Sequence, residues 1–521
     1  MTTITETQAW AGLAALEEGI AGTTLAEMFR RDPDRARGLS WELDGLWLDL
    51  SRQRITPEIV AALCRLAAAA ELAERRQALF AGEPINATEG RAVLHPALRD
   101  SGGLTPAPFA DAAAGQRQAF LAFADAVRGG AVTAHSGKPF TDAVAIGIGG
   151  SHLGPETVTT ALADAQAPVR VHYVANADAT DLAGTLAGLD LATTLFIVAS
   201  KTFTTAETMR NAKSARDWLT AALGDDAVAA QFAAVSSAPD RAAEFGIAAD
   251  RVFSFEDWVG GRFSLWSPVG LSTAIAIGAT AFEQLLAGAH AMDRHFVAAP
   301  ATGNLPVLLA VSDFWNRNFL SLPARAVLPY DERLRLLPAH LQQLEMESNG
   351  KGVTLEGEAV ALSPAAVVFG MTGTNGQHTF HQMLHQGPPL IAAEFIGVAE
   401  PGHALAHHHD MLLANMLAQA EALALGSREG AVERHCPGDR PSSLIVLKRL
   451  DARSLGMLLA LYEHKVFVEG VLAGVNTFDQ FGVELGKSLA GPLIKALEGR
   501  AGAEPGPVSA AAVAKLKAWR G

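Results

Sequence analysis

Cysteine is nearly absent from this sequence. The 521 residues include two, Cys64 and Cys436, far apart and in no metal or redox spacing. That pattern leaves no disulfide framework to build on and fits a reducing compartment. Basic charge is also short: 41 Lys and Arg stand against 55 Asp and Glu, a formal net charge of −14. Such a balance argues against a nucleic-acid surface and gives no general attraction to anionic lipid, so an anionic ligand would need a local basic pocket. Long hydrophobic runs are missing. The longest apolar stretch, 269–281, contains Ser and Thr and falls short of the roughly 20 residues of a membrane span. It reads as a buried core helix. The opening decapeptide MTTITETQAW lacks a basic region followed by an apolar one, so no signal peptide is expected. Metal-binding spacing is lacking too, with no His-Glu-x-x-His and no Cys pair. His407, His408 and His409 are adjacent, and on a helix they point to different faces, so they cannot all bind one ion.

What is present is apolar content and an α/β rhythm. Hydrophobic residues make up 49% of a chain long enough for about two to four domain-sized units. Residues 1–80 show apolar spacing of three and four, a helical pattern, with a short strand near 46–50. From 142 strands and helices alternate. Residues 193–199 (TTLFIVA) have the β-branched, apolar composition of a buried parallel strand, and 207–219 have helical spacing. Between them stand Ser200, Lys201, Thr202, Thr204 and Thr205. A helix start carries unpaired N–H groups and partial positive charge, and hydroxyls with a lysine added there suit a phosphate dianion. An N-cap alone needs one such residue, not five.

Other loops share this character. Residues 147–154 (GIGGSHLG) follow a strand at 142–148. They approach a dinucleotide fingerprint but place His152 where the third glycine belongs, while Ser151 offers a hydroxyl at a second helix start. Both loops fall at strand carboxyl ends, where ligands bind in parallel sheets. In 257–270 (DWVGGRFSLWSPVG) a Gly-Gly turn can push the Arg262 guanidinium into a cavity. Residues 299–307 form a plausible linker, and the alternation resumes after it. A helix is expected from Glu332 through Gln343, Glu345, Glu347 and Lys351, and a third glycine- and hydroxyl-rich loop ends at His378. Spacing alone cannot choose between Glu345 and Glu347, and Lys487 reads as an exposed lysine.

The segments GEPINATEGRAVLHPALR, GIGGSHLGP, ASKTFTTAET, VGGRFSLWSPVG, MESNGK, GTNGQH and GVNTFDQFGVELGK, spread over 82–487, resemble in sequence and order those of the glucose-6-phosphate isomerase (phosphoglucose isomerase) family. The resemblance implies an α/β fold of two αβα-sandwich sugar-isomerase domains with parallel-rich sheets. Helical extensions flank them: 1–110, first domain 111–298, second domain 299–490, tail 491–521. It implies a cytoplasmic enzyme without metal or organic cofactor, interconverting glucose 6-phosphate and fructose 6-phosphate. The family works as a homodimer with the active site shared between subunits. By the same resemblance Ser151, Ser200, Lys201, Thr202 and Thr205 bind phosphate, and Arg262 steadies the enediolate. Glu347 is the catalytic base, Gln343 contacts substrate, and His378 and Lys487 serve ring opening. His152 and Ala206 depart from the family's more usual Asp and Gln. A dual isomerase that also accepts mannose 6-phosphate, or a sugar-phosphate-binding regulator without catalysis, is the alternative; Glu347, Arg262 and His378 favour the enzyme.

Overall fold

The computed structural model describes residues 4–500 and 504–520. Its strands form two sheets. β1 (Ser40–Leu43) and β2 (Leu46–Asp49) are an antiparallel hairpin. Asp44 and Gly45 turn it, with φ of 47° and 81°. A two-residue Asp-Gly loop with both φ positive matches the twist of the strands it joins. β3 (Asp142–Ile146), β4 (Arg170–Val174), β5 (Thr194–Ala199), β6 (Phe232–Val235) and β7 (Val252–Phe253) form the first sheet. β8 (Ala324–Tyr330), β9 (Val367–Gly370), β10 (Ala392–Val398) and β11 (Ser442–Leu447) form the second, together with the hairpin.

The first sheet has the order β4-β3-β5-β6-β7, parallel throughout. β5 is buried along its whole length, as expected of an apolar strand covered on both faces. On one face Val144, Phe196, Val198 and Phe232 pack against Leu182, Ala212 and Leu219 from the connecting helices. The chain leaves β3 toward β4 on one side and returns to β5 on the other. The loops after β3 and β5 therefore diverge and leave a crevice, the switch point of a doubly wound sheet.

The second sheet runs β1-β2-β11-β10-β8-β9, with β8 to β11 mutually parallel and β2 antiparallel to β11. Its core joins Leu328, Tyr330, Phe395 and Leu444 to Leu384, Met416 and Leu423. The fold is the expected pair of αβα layers, but the region expected to be a helical extension also supplies the edge hairpin of this sheet.

Two helix expectations are corrected. The stretch 269–281 is not one helix. Leu271–Ile277 ends at Gly278, whose φ of 86° breaks it, and a second helix, Ala279–Ala298, begins at once. The helix expected from Glu332 is a 3-10 turn, Glu332–Leu334, then a short α-helix, Leu337–Leu341, then a π-helical stretch, Gln342–Glu347.

The helix Ala452–Ala473 is buried along nearly its whole length and crosses Ala279–Ala298 at close range. A Cβ on Gly288 would lie 1.8 Å from the Arg453 carbonyl oxygen, and one on Gly456 would lie 2.0 Å from that of Leu285, so the crossing requires glycine. The chain divides into two compact units, Met1–Thr477 and Phe478–Gly521. The second carries the helices Glu484–Leu497 and Pro507–Arg520. No helix among the described residues is long and apolar enough to cross a membrane.

Candidate active site

The loop after β5 opens the helix Ala206–Leu223. Thr205 occupies the N-cap position, yet its side chain caps nothing; its Oγ1 lies 3.1 Å from Ser200 Oγ. Thr202 and Thr204 pair their hydroxyls at 2.7 Å. Phe203 adopts φ of 54°, unusual for a bulky residue. Its ring is buried edge-on against Phe245 and anchors the loop from below. Hydroxyls thus gather at the start of an 18-residue helix with their bonding capacity only partly used.

Lys201 Nζ donates to the carbonyl oxygens of Asp257 at 3.1 Å and Val259 at 3.3 Å, and lies 3.5 Å from the Asp257 carboxylate. Burial, then the neighbouring Arg91 charge, pulls this ammonium below the ordinary lysine range, with Asp257 opposing. Arg91 donates to the same Asp257 carbonyl, so two cations converge there. Sequence reasoning gave Arg91 no role.

The loop after β3 meets two distant segments. A Cβ on Gly150 would lie 2.1 Å from the Gly261 carbonyl oxygen, and one on Gly149 would lie 3.1 Å from Gln343 Nε2. Glycines here let the loop carrying Ser151 touch both the Gly-Gly-Arg turn and the π-helical stretch. Ser151 and Gln343 are half-buried. His152 turns away to Glu156, 3.1 Å distant, and to the edge of Tyr173.

Arg262 is the buried centre of the arrangement. Its Nε donates to Ser348 Oγ at 2.6 Å, and its Nη2 donates to the Thr477 carbonyl. Its Nη1 lies 3.7 Å from Glu347 Oε1, longer than a hydrogen bond. The Glu347 side chain keeps 22% of its surface exposed, so a ligand can reach it. Glu345 is different: it is buried and bonded to Arg325 and Lys465. Burial alone would raise its carboxyl, but the charges of Arg325 and Lys465 outweigh burial and hold it below the usual range. Of the two glutamates, only Glu347 is both accessible and beside the arginine. π-Helical turns are rare and occur often at functional sites.

His378 ends the turn Asn375–His378, is exposed, and its ring makes no hydrogen bond to Glu347, Arg262 or Gln343. Lys487 lies exposed on the helix Glu484–Leu497 of the C-terminal unit. Ser348, Asn349 and Thr477 stand inside segments that carry the resemblance but were given no role of their own, since serine, asparagine and threonine carry no signal until their partners are known.

Glycine-lined and hydroxyl-rich loops at the switch point of a doubly wound sheet characterise α/β proteins that hold phosphorylated ligands, and this chain is of that class. It belongs to the phosphoglucose isomerase family, whose model matches residues 49–506. A relative from Mesorhizobium japonicum named glucose-6-phosphate isomerase is 50% identical over 515 residues, covering 94% of each chain. One of the same name from Dechloromonas aromatica is 48% identical over 507 residues, covering 95% of each. Among solved structures, a glucose-6-phosphate isomerase from Chlamydia trachomatis superposes with a TM-score of 0.88 at 31% identity over the whole of both chains.

Proposed function

We propose that this chain interconverts glucose 6-phosphate and fructose 6-phosphate by ring opening followed by proton transfer between C2 and C1. The observation that carries the assignment of roles is the pairing of a buried, clamped Arg262 with the accessible Glu347, 3.7 Å away, next to the glycine loop. Glu347 takes the proton from one carbon and returns it to the other through a planar cis-enediol. Arg262 faces the oxygens on which negative charge grows, where a fixed guanidinium lowers the barrier most. Ser151, Ser200, Lys201, Thr202 and Thr205 hold the phosphate, and Gln343 contacts the sugar. The phosphate's binding energy holds C1 and C2 against the base.

Opening the ring requires one group to protonate the ring oxygen and another to accept the hydroxyl proton, a task suited to histidine near neutral pH. His378 and Lys487 take this part. His378 acts in the pocket of a neighbouring subunit of a homodimer, consistent with its exposed position and with the lack of a hydrogen bond from its ring to Glu347 within one chain. The enzyme is cytoplasmic, its two sugar-isomerase units spanning 111–298 and 299–490, with flanking segments 1–110 and 491–521. The chemistry needs neither metal nor organic cofactor. Purified protein should equilibrate the two hexose phosphates with a chelator present. Turnover lost on chelation and restored by a divalent ion would overturn the metal-free mechanism, and absence of turnover under all conditions would overturn the function.

A further inference from the structure

We propose that Ser348, Asn349 and Thr477 are positioning residues that together fix the Arg262 guanidinium relative to Glu347. The inference rests on the roles just given to Arg262 and Glu347. A guanidinium is a flat fork of five N–H donors on a flexible stem, and its direction is set by what accepts from it. Here Nε is held by Ser348 Oγ at 2.6 Å and Nη2 by the Thr477 carbonyl. Thr477 is itself held: its Oγ1 donates to Asn349 Oδ1 at 3.0 Å, and Asn349 Nδ2 donates to the Val466 carbonyl at 2.8 Å. Ser348, Asn349 and Thr477 are all buried. The last link, Val466, lies on the buried helix Ala452–Ala473, so the clamp is referred to a rigid wall. The fit there is close. A Cβ on Gly470 would lie 1.9 Å from Thr477 Oγ1 and 2.9 Å from Asn349 Oδ1.

Two consequences follow from this geometry. Ser348 and Asn349 directly succeed Glu347, so one short segment of backbone carries the base and both side chains that set the arginine. Base and guanidinium therefore keep register with each other. With Nε and Nη2 engaged elsewhere, Nη1 stops 3.7 Å from Glu347. A direct two-bond ion pair would occupy the carboxylate lone pairs needed to take a proton. The clamp holds the arginine short of that collapse and leaves it facing the reacting oxygens.

The test uses Ser348→Ala, Thr477→Val and Thr477→Ser in the full chain. Valine matches threonine in shape but cannot donate to Asn349, and serine keeps the hydroxyl. Small misplacement of a catalytic group costs up to about a hundredfold, so Ser348→Ala and Thr477→Val should each lower kcat about tenfold to a hundredfold. KM for fructose 6-phosphate should stay within about twofold, because the phosphate grip is untouched. Thr477→Ser should recover most of the turnover. Slowing should fall on the chemical step, so the isotope effect with C2-deuterated glucose 6-phosphate should persist or grow. Normal kcat in both Ser348→Ala and Thr477→Val, or a Thr477→Ser enzyme as slow as Thr477→Val, would overturn the proposal. Arg262→Ala and Glu347→Gln are measured alongside. If those two turn over normally, the roles beneath the proposal fail. If they collapse while the clamp variants do not, only the clamp fails.

Discussion

Lys465 Nζ lies 3.0 Å from Glu345 Oε2, in the buried interior two residues along the chain from the accessible Glu347. The same ammonium lies 2.9 Å from Asp313 Oδ2 and 3.1 Å from Glu469 Oε1. Ligand atoms of these three carboxylates fall within 4.8 Å of one another, a spacing suited to a cation, and the lysine is bonded to all three. Arg317 and Arg325 complete the cluster. Counting Glu394, 3.8 Å from Arg325, four carboxyls face three permanent cations, so one carboxyl is easily left carrying a proton.

Burial raises both Glu394 and Glu469, and the large shift falls on Glu469. Burial, with the nearby charges of Asp313 and Glu345, pushes it up to about 7 against the pull of Arg317 and Lys465. Between the ordinary value of 4.5 and about 7, the folded protein keeps a proton that the unfolded chain has released. The native state then binds more protons, so stability falls as pH rises through this window and levels above it. The loss attributable to Glu469 is at most about 3 kcal/mol. Glu469→Gln should lack this slope. Urea denaturation at a series of pH values would show wild type declining relative to the variant from pH 5 to 7. Parallel curves would mean that Glu469 does not titrate there.

The two neighbouring glutamates should separate cleanly on mutation. Glu345→Gln breaks a buried ion pair, and such losses cost about 3–5 kcal/mol. Glu347→Gln loses only the looser 3.7 Å approach of a partly exposed carboxylate to Arg262. It should fold with near-normal stability and lose roughly 10²–10⁴ in turnover, the usual cost of removing a general base. Exchange of the C2 hydrogen with deuterated water checks the step itself. Normal exchange in Glu347→Gln would move the base elsewhere.

This pair also shows where sequence reading ends. Two glutamates two residues apart look alike on paper. What distinguishes them is Arg325 and Lys465, which approach one of them from 20 and 120 residues away. β5 was legible because an unbroken apolar run has few other destinations, and the glycine loops because glycine beside a strand end permits close approach. The edge hairpin of the second sheet was half legible. The strand near 46–50 was read, but its partner β1 and the Asp44-Gly45 turn, a strong hairpin signal, were not. The break at Gly278 escaped because apolar residues continue on both sides of it. Ser348 escaped because its importance lies wholly in a bond to Arg262, 86 residues away.

Replacing Lys201 and Thr205 together by Ala should weaken substrate and phosphate-ester inhibitors in parallel. Hydrogen bonds to charged groups contribute roughly 1.5–3 kcal/mol each, so affinity should fall at least tenfold. Lys201 is already tied to the 257–259 segment by the carbonyls of Asp257 and Val259, so part of its side-chain freedom is lost before any ligand binds. Inhibition constants measured at fixed ionic strength read this directly. Unchanged inhibitor affinity would place the phosphate elsewhere.

His378 is exposed, at the end of a glycine-rich turn, and makes no hydrogen bond to Glu347 within its own chain. If it completes a neighbour's pocket, a Glu347→Gln chain and a His378→Ala chain are each inactive alone but complementary when mixed. Each heterodimer would have one pocket with both defects and one with neither. Activity should then return to about half of wild type per heterodimer, given the closed two-fold symmetry commonest among oligomers. Sedimentation must first show each parent folded and dimeric, and tagged chains must verify that heterodimers formed. If His378 serves its own pocket, every pocket of the mixed dimer carries one defect, and mixing recovers nothing. The two arrangements differ by the presence or absence of one intact site, so verified heterodimers with no gain over the parents would assign His378 to its own subunit.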